Sequence, residues 1–371
     1  MRTSARRAVA VSTAVLSMIW SLGALPAVGD DDPCEGVTSF RMPDGSVLCT
    51  HGDDDHLGTH VAADGMDPAA LRAVAPQCYS DGSDGYRVSV LYVHANGSPN
   101  RVDELARHIR RDVGQVEGMV VDSAAGQGGV RHVRWETEAL RDGCRVKVGS
   151  VGVPASDLQD IMSTVRALAE RGYARADRRY ALYVDVDRYC GIATMPRDAD
   201  AAADDNIANR RTGYARVDRS CWNRGDTGGY ATMGHELFHS FGAVQPNAPN
   251  ATTGGHCTDE WDPLCYDDGS GQGTRIRCKS GGGDGDIHHR QLDCGADDYF
   301  ALAPRGDSYL GRNWNTADSP YLATAPGHGT GGDPVHRGVA TWPAGRGEFR
   351  PSSAAAGFEA CDDPIVVETR G

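Results

Sequence analysis

The 371-residue chain is 40% hydrophobic and 24% charged, with a formal net charge of −14 and 47 glycines. That length suits one large or two ordinary domains at roughly 150 residues each, and the composition excludes a collagen, a coiled coil and a polytopic membrane protein. An acidic surface also argues against nucleic acid or an anionic membrane as a partner.

Residues 1–29 carry Arg2, Arg6 and Arg7, an apolar stretch from Ala8 to about Leu25, and a small-residue ending at Ala27-Val28-Gly29. This pattern predicts a cleaved secretory signal and a protein that is extracellular, with no membrane attachment after cleavage. Removing three arginines and no acid takes the net charge from −14 to −17. All eleven cysteines follow the signal, as expected of an exported chain held by disulfides. Spacing suggests that neighbours pair: Cys34 with Cys49, Cys78 with Cys144, Cys190 with Cys221, Cys257 with Cys265, and Cys278 with Cys294, leaving Cys361 over.

Residues 30–85 are polar and acidic, with Asp53-Asp54-Asp55-His56 among them, and read as an N-terminal extension or pro-segment. From Tyr86 strands alternate with helices, the pattern of an α/β layer. Arg87–Val93 is a predicted strand. Val102, Leu105, Ile109 and Val113 have helical spacing. Strands follow at Val130–Trp135 and Cys144–Val153, and Ser156 or Asp157 can cap a helix that stops at Gly172. Tyr180–Val186 is almost uniformly apolar, as a central strand covered on both faces would be, and the short Tyr214–Val217 reads as an edge strand. Residues 86–242 thus form an upper subdomain, 243–325 a loop-rich, disulfide-held lower one, and 326–371 a Gly/Pro-rich tail.

The strongest chemical signal is His235-Glu236-Leu237-Phe238-His239 on a helix predicted from Thr227 or Gly228 to Gly242. Histidines at i and i+4 share one helix face and can hold one Zn²⁺, while Glu236 is placed to take a proton from an attacking water. Gly242 can adopt positive φ and turn the chain back toward the metal.

These residues, with Tyr214–Asp218, Cys221-Trp222 and His256–Tyr266, resemble the metzincin metallopeptidases, in particular a group of secreted actinobacterial-type proteins, over roughly residues 86–322. The resemblance implies a twisted mixed sheet with helices, a zinc helix on the cleft floor and an irregular lower subdomain. Two positions depart from it. Gln245 stands where the third ligand is expected, and a neutral amide is a poor zinc ligand. His256 is the first candidate to replace it, since Leu264 follows at a short gap resembling that of the matrix metallopeptidases; Asp259 and Gln245 come next. Leu264 stands where the family turn has Met, a swap of similar volume. Tyr266 lies where some members carry a tyrosine that hydrogen-bonds the developing oxyanion; packing is its other reading.

The expected activity is therefore a secreted zinc endopeptidase, a monomer acting on protein or peptide, with His235, His239 and His256 as metal ligands and Glu236 and Tyr266 as catalytic residues. Calcium at Asp267-Asp268, Asp284–Asp286 or Asp297-Asp298 is a second candidate cofactor. The rival reading is a non-catalytic binding module on the same fold, and a third aims the hydrolysis at another amide, such as one in a cell wall.

Overall fold

The computed structural model describes residues 34, 37–42, 44–54, 73–201, 205–222, 229–260, 262–276 and 291–327, without the side chains of 229–231, 260 and 276. The signal, Asp284–Asp286 and almost all of the C-terminal tail lie outside them. In chain order the strands are β1 (Thr38–Arg41), β2 (Val47–Thr50), β3 (Arg87–Ala95), β4 (His132–Val133), β5 (Thr137–Leu140), β6 (Gly143–Val146), β7 (Val148–Val153), β8 (Arg178–Val184), β9 (Gly191–Ala193) and β10 (Gly213–Asp218). The helices are α1 (Val102–Gly126), α2 (Ile161–Ala169), α3 (Ile207–Arg210), α4 (Arg219–Trp222) and α5 (Gly229–Ser240).

The fold is mixed α+β, built on a five-stranded mixed sheet of order β7-β3-β8-β10-β9. Its first four strands are parallel, and β9 pairs antiparallel with β10 at the edge. Alternation along β3 and β8 sends Val88, Val90, Tyr92, Ala181 and Tyr183 to one face, where α1 and α5 pack with Leu105, Ile109, Val113, Leu237 and Phe238. Leu91, Val93, Leu182 and Val184 point to the other, against α2 through Ile161, Val165 and Leu168. Both faces are covered, which explains why β8 is apolar throughout.

Several boundaries differ from the sequence expectation. The strand expected over Cys144–Val153 is two: β6 pairs with β5 as a hairpin, while β7 joins the main sheet. The helix cap near residue 157 is instead a 3₁₀ turn, and Asp160 caps α2 by accepting the Ser163 N–H. The strand β10 is interior and β9 is the edge, so the edge assignment for Tyr214–Val217 is corrected; three residues with no periodic pattern gave no sequence signal for β9.

The N-terminal extension is also more ordered than its composition suggests. Its strands β1 and β2 form an antiparallel hairpin closed by Cys34–Cys49, and Phe40, Met42 and Leu48 join the α2 side of the core. Beyond the hairpin the chain passes along β9: the Met195 N–H donates to the Cys49 carbonyl at 2.8 Å and the Asp54 N–H to that of Gly191 at 3.0 Å. The two segments therefore run in opposite directions. The expected pairs Cys78–Cys144, Cys190–Cys221 and Cys257–Cys265 are also formed. Cys294 is disulfide-bonded as well, whereas its expected partner Cys278, and Cys361, lie outside the described residues. No helix among the described residues is long and apolar enough to cross a membrane.

Candidate metal centre

The helix α5 carries His235, Glu236 and His239, all fully buried. It ends in a turn at Gly242, whose φ of +95° is one that only glycine adopts without strain. The turn does bring the chain back, but what it delivers is the Ala243 carbonyl, which accepts from His239 Nδ1 at 2.8 Å. His235 Nδ1 donates to the Pro263 carbonyl at 2.6 Å. The third imidazole is that of His256, whose Nδ1 lies 3.1 Å from Asp268 Oδ2.

Each of these rings thus spends its Nδ1–H on an oxygen that can only accept, which leaves Nε2 as an inward-facing lone pair. His235 Nε2 and His239 Nε2 approach to 2.8 Å, an arrangement of two acceptors that is unfavourable without a cation between them. His256 Nε2 and both carboxylate oxygens of Glu236 are buried without a hydrogen-bond partner. Three neutral imidazoles converging by Nε2, each fixed by an outer oxygen, form a donor set suited to a divalent transition metal. Together with His51 and Asp54 they make one group whose ligand atoms all lie within 4.8 Å of one another.

The two alternatives to His256 are elsewhere. Gln245 Nε2 donates to the carbonyls of Pro196 and Gly242, and its Oε1 accepts the Asp198 N–H, so the amide ties loops together. Asp259 lies with Asp297 and Asp298 in a separate group of carboxylates. The Cys257–Cys265 bridge closes the loop that begins immediately after His256, and the Cys257 N–H donates to the Leu264 carbonyl at 3.1 Å. Leu264 is fully buried. Tyr266 sits over His256 with ring centroids 4.3 Å apart and donates its hydroxyl to Asp54 Oδ1.

His51 and Asp54 were missed by sequence reasoning. Asp54 Oδ2 lies 3.0 Å from His235 Nε2, and Oδ1 lies 3.5 Å from His256 Nε2. His51 Nε2 is 3.4 Å from Glu236 Oε2 and its Nδ1 3.4 Å from Asp54 Oδ1. The only local signals were turn and charge: Pro43-Asp44-Gly45 is a turn sequence between apolar residues, and the acidic run marks Asp54 without marking its direction. Gly191 was missed too. A methyl group there would overlap the Glu236 carboxylate, so this glycine makes the room in which the acid lies.

Electrostatics follow from this crowding. Burial and the adjacent Asp54 carboxylate push Glu236 well above the ordinary carboxylate range. Burial, then the rings of His51, His235 and His256, hold His239 well below that of a free imidazole. For His256 burial works downward, but the neighbouring carboxylates of Asp268 and Asp54 outweigh it and raise the ring. Burial would raise Asp54, yet His51 and His235 outweigh it and hold the carboxyl well below its usual value.

Of the acidic stretches considered for calcium, Asp268 serves His256 instead, and Asp297-Asp298 meets Asp259. Asn250, which opens an Asn250-Ala251-Thr252 glycosylation sequence, is buried, its amide donating to both oxygens of Asp298.

Neither a protein-family model nor a curated protein matches the chain. Among solved structures, wild-type OgpA from Akkermansia muciniphila aligns at 13% identity with a TM-score of 0.29, over 47% of this chain and 51% of that one. The chain therefore spans about half the length of that protein, at a likeness from which no chemistry can be transferred.

Proposed function

We propose that the chain is an exported zinc endopeptidase of the metzincin kind, acting on protein or peptide substrates. The observation that carries this reading is the convergence of His235, His239 and His256 by Nε2 beside the Glu236 carboxylate, which is buried with no hydrogen bond to either oxygen. Zinc held by the three imidazoles would supply Lewis acidity, activating water and polarising the scissile carbonyl. Glu236 takes the proton of the attacking water on its carboxylate and returns it to the departing amine nitrogen. The Tyr266 hydroxyl, beside His256, donates to the oxygen on which negative charge develops. The outer oxygens of Pro263, Ala243 and Asp268 hold the imidazoles in the required tautomer. Calcium remains a secondary reading, for which the carboxylates of Asp259, Asp297 and Asp298 would be the oxygen ligands.

A second reading has a specific observation behind it. With Asp54 counted, the site offers four protein ligands, the number found in closed structural zinc sites, and such a chain would be a binding module. Zinc analysis and casein hydrolysis, on protein recovered from the medium of an exporting host, separate the two. One zinc per chain is expected, lost in His256→Ala and kept in Glu236→Gln, with hydrolysis abolished in both variants. Hydrolysis retained by Glu236→Gln would end the peptidase reading, and zinc without any hydrolysis would favour the closed site.

A further inference from the structure

We infer that Asp262 is a positioning residue for the metal, and that Tyr299 and Asp293 act on His235 through it. This role rests on the peptidase reading and deepens it, by assigning what aims the first imidazole. The two helix histidines are held differently. His239 donates to the Ala243 carbonyl, in the turn that ends its own helix, whereas His235 donates to the Pro263 carbonyl, from a separate part of the chain. The His235 ring therefore points where residues 262–265 place that carbonyl.

Asp262 holds this turn from both ends of its own structure. Its carbonyl accepts the Cys265 N–H at 3.1 Å, and its Oδ1 accepts the Leu264 N–H at 2.7 Å, so Pro263 is enclosed by a backbone turn and a side-chain turn together. A second loop then fixes the carboxylate. The Tyr299 hydroxyl donates to Oδ1 at 2.6 Å and the Asp293 N–H donates to Oδ2. That loop is closed on itself, because the Asp293 side chain accepts the N–H groups of Asp297, Asp298, Tyr299 and Phe300. Asp262, Asp293 and Tyr299 are all buried. The Tyr299 ring also packs on Phe238 of α5, with centroids 6.3 Å apart. One side chain thus touches both the helix that carries His235 and the residue that aims it. Three donors converge on the two Asp262 oxygens, and only an acceptor-only group satisfies them all. An asparagine has one accepting oxygen, so it must leave at least one of these donors facing an N–H.

Wild type, Asp262→Asn and Tyr299→Phe are compared as full-length chains. Zinc affinity is read by competition with a chromophoric chelator, and the geometry of the site by the visible absorption bands of the Co²⁺-loaded proteins. Thermal unfolding of the zinc-free chains is the control for folding, and Tyr299→Phe, which deletes one hydroxyl, guards against a folding defect in Asp262→Asn. Both variants should bind zinc about 10-fold more weakly or worse, the scale on which partners outside the ligands act, and both should shift the Co²⁺ bands. Zinc affinity equal to wild type in both variants overturns the positioning role and leaves the peptidase reading standing. Weaker zinc with unchanged Co²⁺ bands and a lower unfolding temperature of the zinc-free chain overturns it too, making the network a support of the fold alone. A wild-type chain that takes up no zinc removes the peptidase reading and the positioning role with it.

Discussion

Asp268 does for His256 what two backbone carbonyls do for the helix histidines, but it does so as a side chain and can be deleted. Its Oδ2 receives His256 Nδ1 and the Thr252 hydroxyl, and its Oδ1 receives the Ser270 N–H. Without it the imidazole loses the partner that fixes its tautomer. Asp268→Ala should weaken zinc binding by about 10–100-fold, read by competition with a chromophoric chelator, while the far-UV circular dichroism stays unchanged; undiminished affinity would show that the Cys257–Cys265 loop alone orients the ring. At this scale the sequence was informative where chemistry is local. Two histidines four apart with a glutamate between them declare their geometry through helical period alone. Gln245 and His256 are harder, because what separates them is a loop whose path depends on contacts such as that of Gln245 with Pro196.

At the scale of elements the decisive piece is β9, which is too short to be read from its sequence and yet lies directly against Glu236. Its position is anchored by Asp218, which is buried with Arg216 at 2.7 Å and accepts the N–H groups of Arg188 and Tyr189 just before the strand. Packing is close enough that a single methyl at Gly191 must displace both Glu236 and Thr232. Gly191→Ala is expected to keep zinc and lose hydrolysis by ~100-fold or more, since small displacements of a reacting group cost that much. Metal analysis beside a casein assay checks this, and full hydrolysis in the variant would mean that Glu236 has slack. The longer elements were legible because burial marks their composition: β8 is apolar from Tyr180 onward with both faces covered, and the first turns of α1 send Leu105 and Ile109 inward before the helix is buried all round over Asp112–Val121. What could not be read was which strand lies outermost, since pairing partners leave no local mark.

For the whole molecule, the large gap between sequence and structure is the extension. Its contacts with the site span more than 200 residues, as between Asp54 and Tyr266, and no local pattern encodes a contact of that range. Its composition read as an N-terminal extension or pro-segment, while its apolar residues Phe40, Met42 and Leu48 belong to the α2 core. The disulfide pattern has a further meaning here. Cys34 and Cys49 are the only cysteines before Cys78, and they bond to each other. The hairpin is therefore cross-linked to itself and to nothing else, so one backbone cut between Asp54 and Cys78 leaves it held by non-covalent contacts alone. We expect such a cut to yield, on a non-reducing gel, a small N-terminal fragment free of the main body, and migration of the two together would refute this. A bridge that elsewhere would fasten a segment to its neighbours here fastens the hairpin only to itself, so its hold on the rest of the fold is entirely a matter of packing and hydrogen bonds.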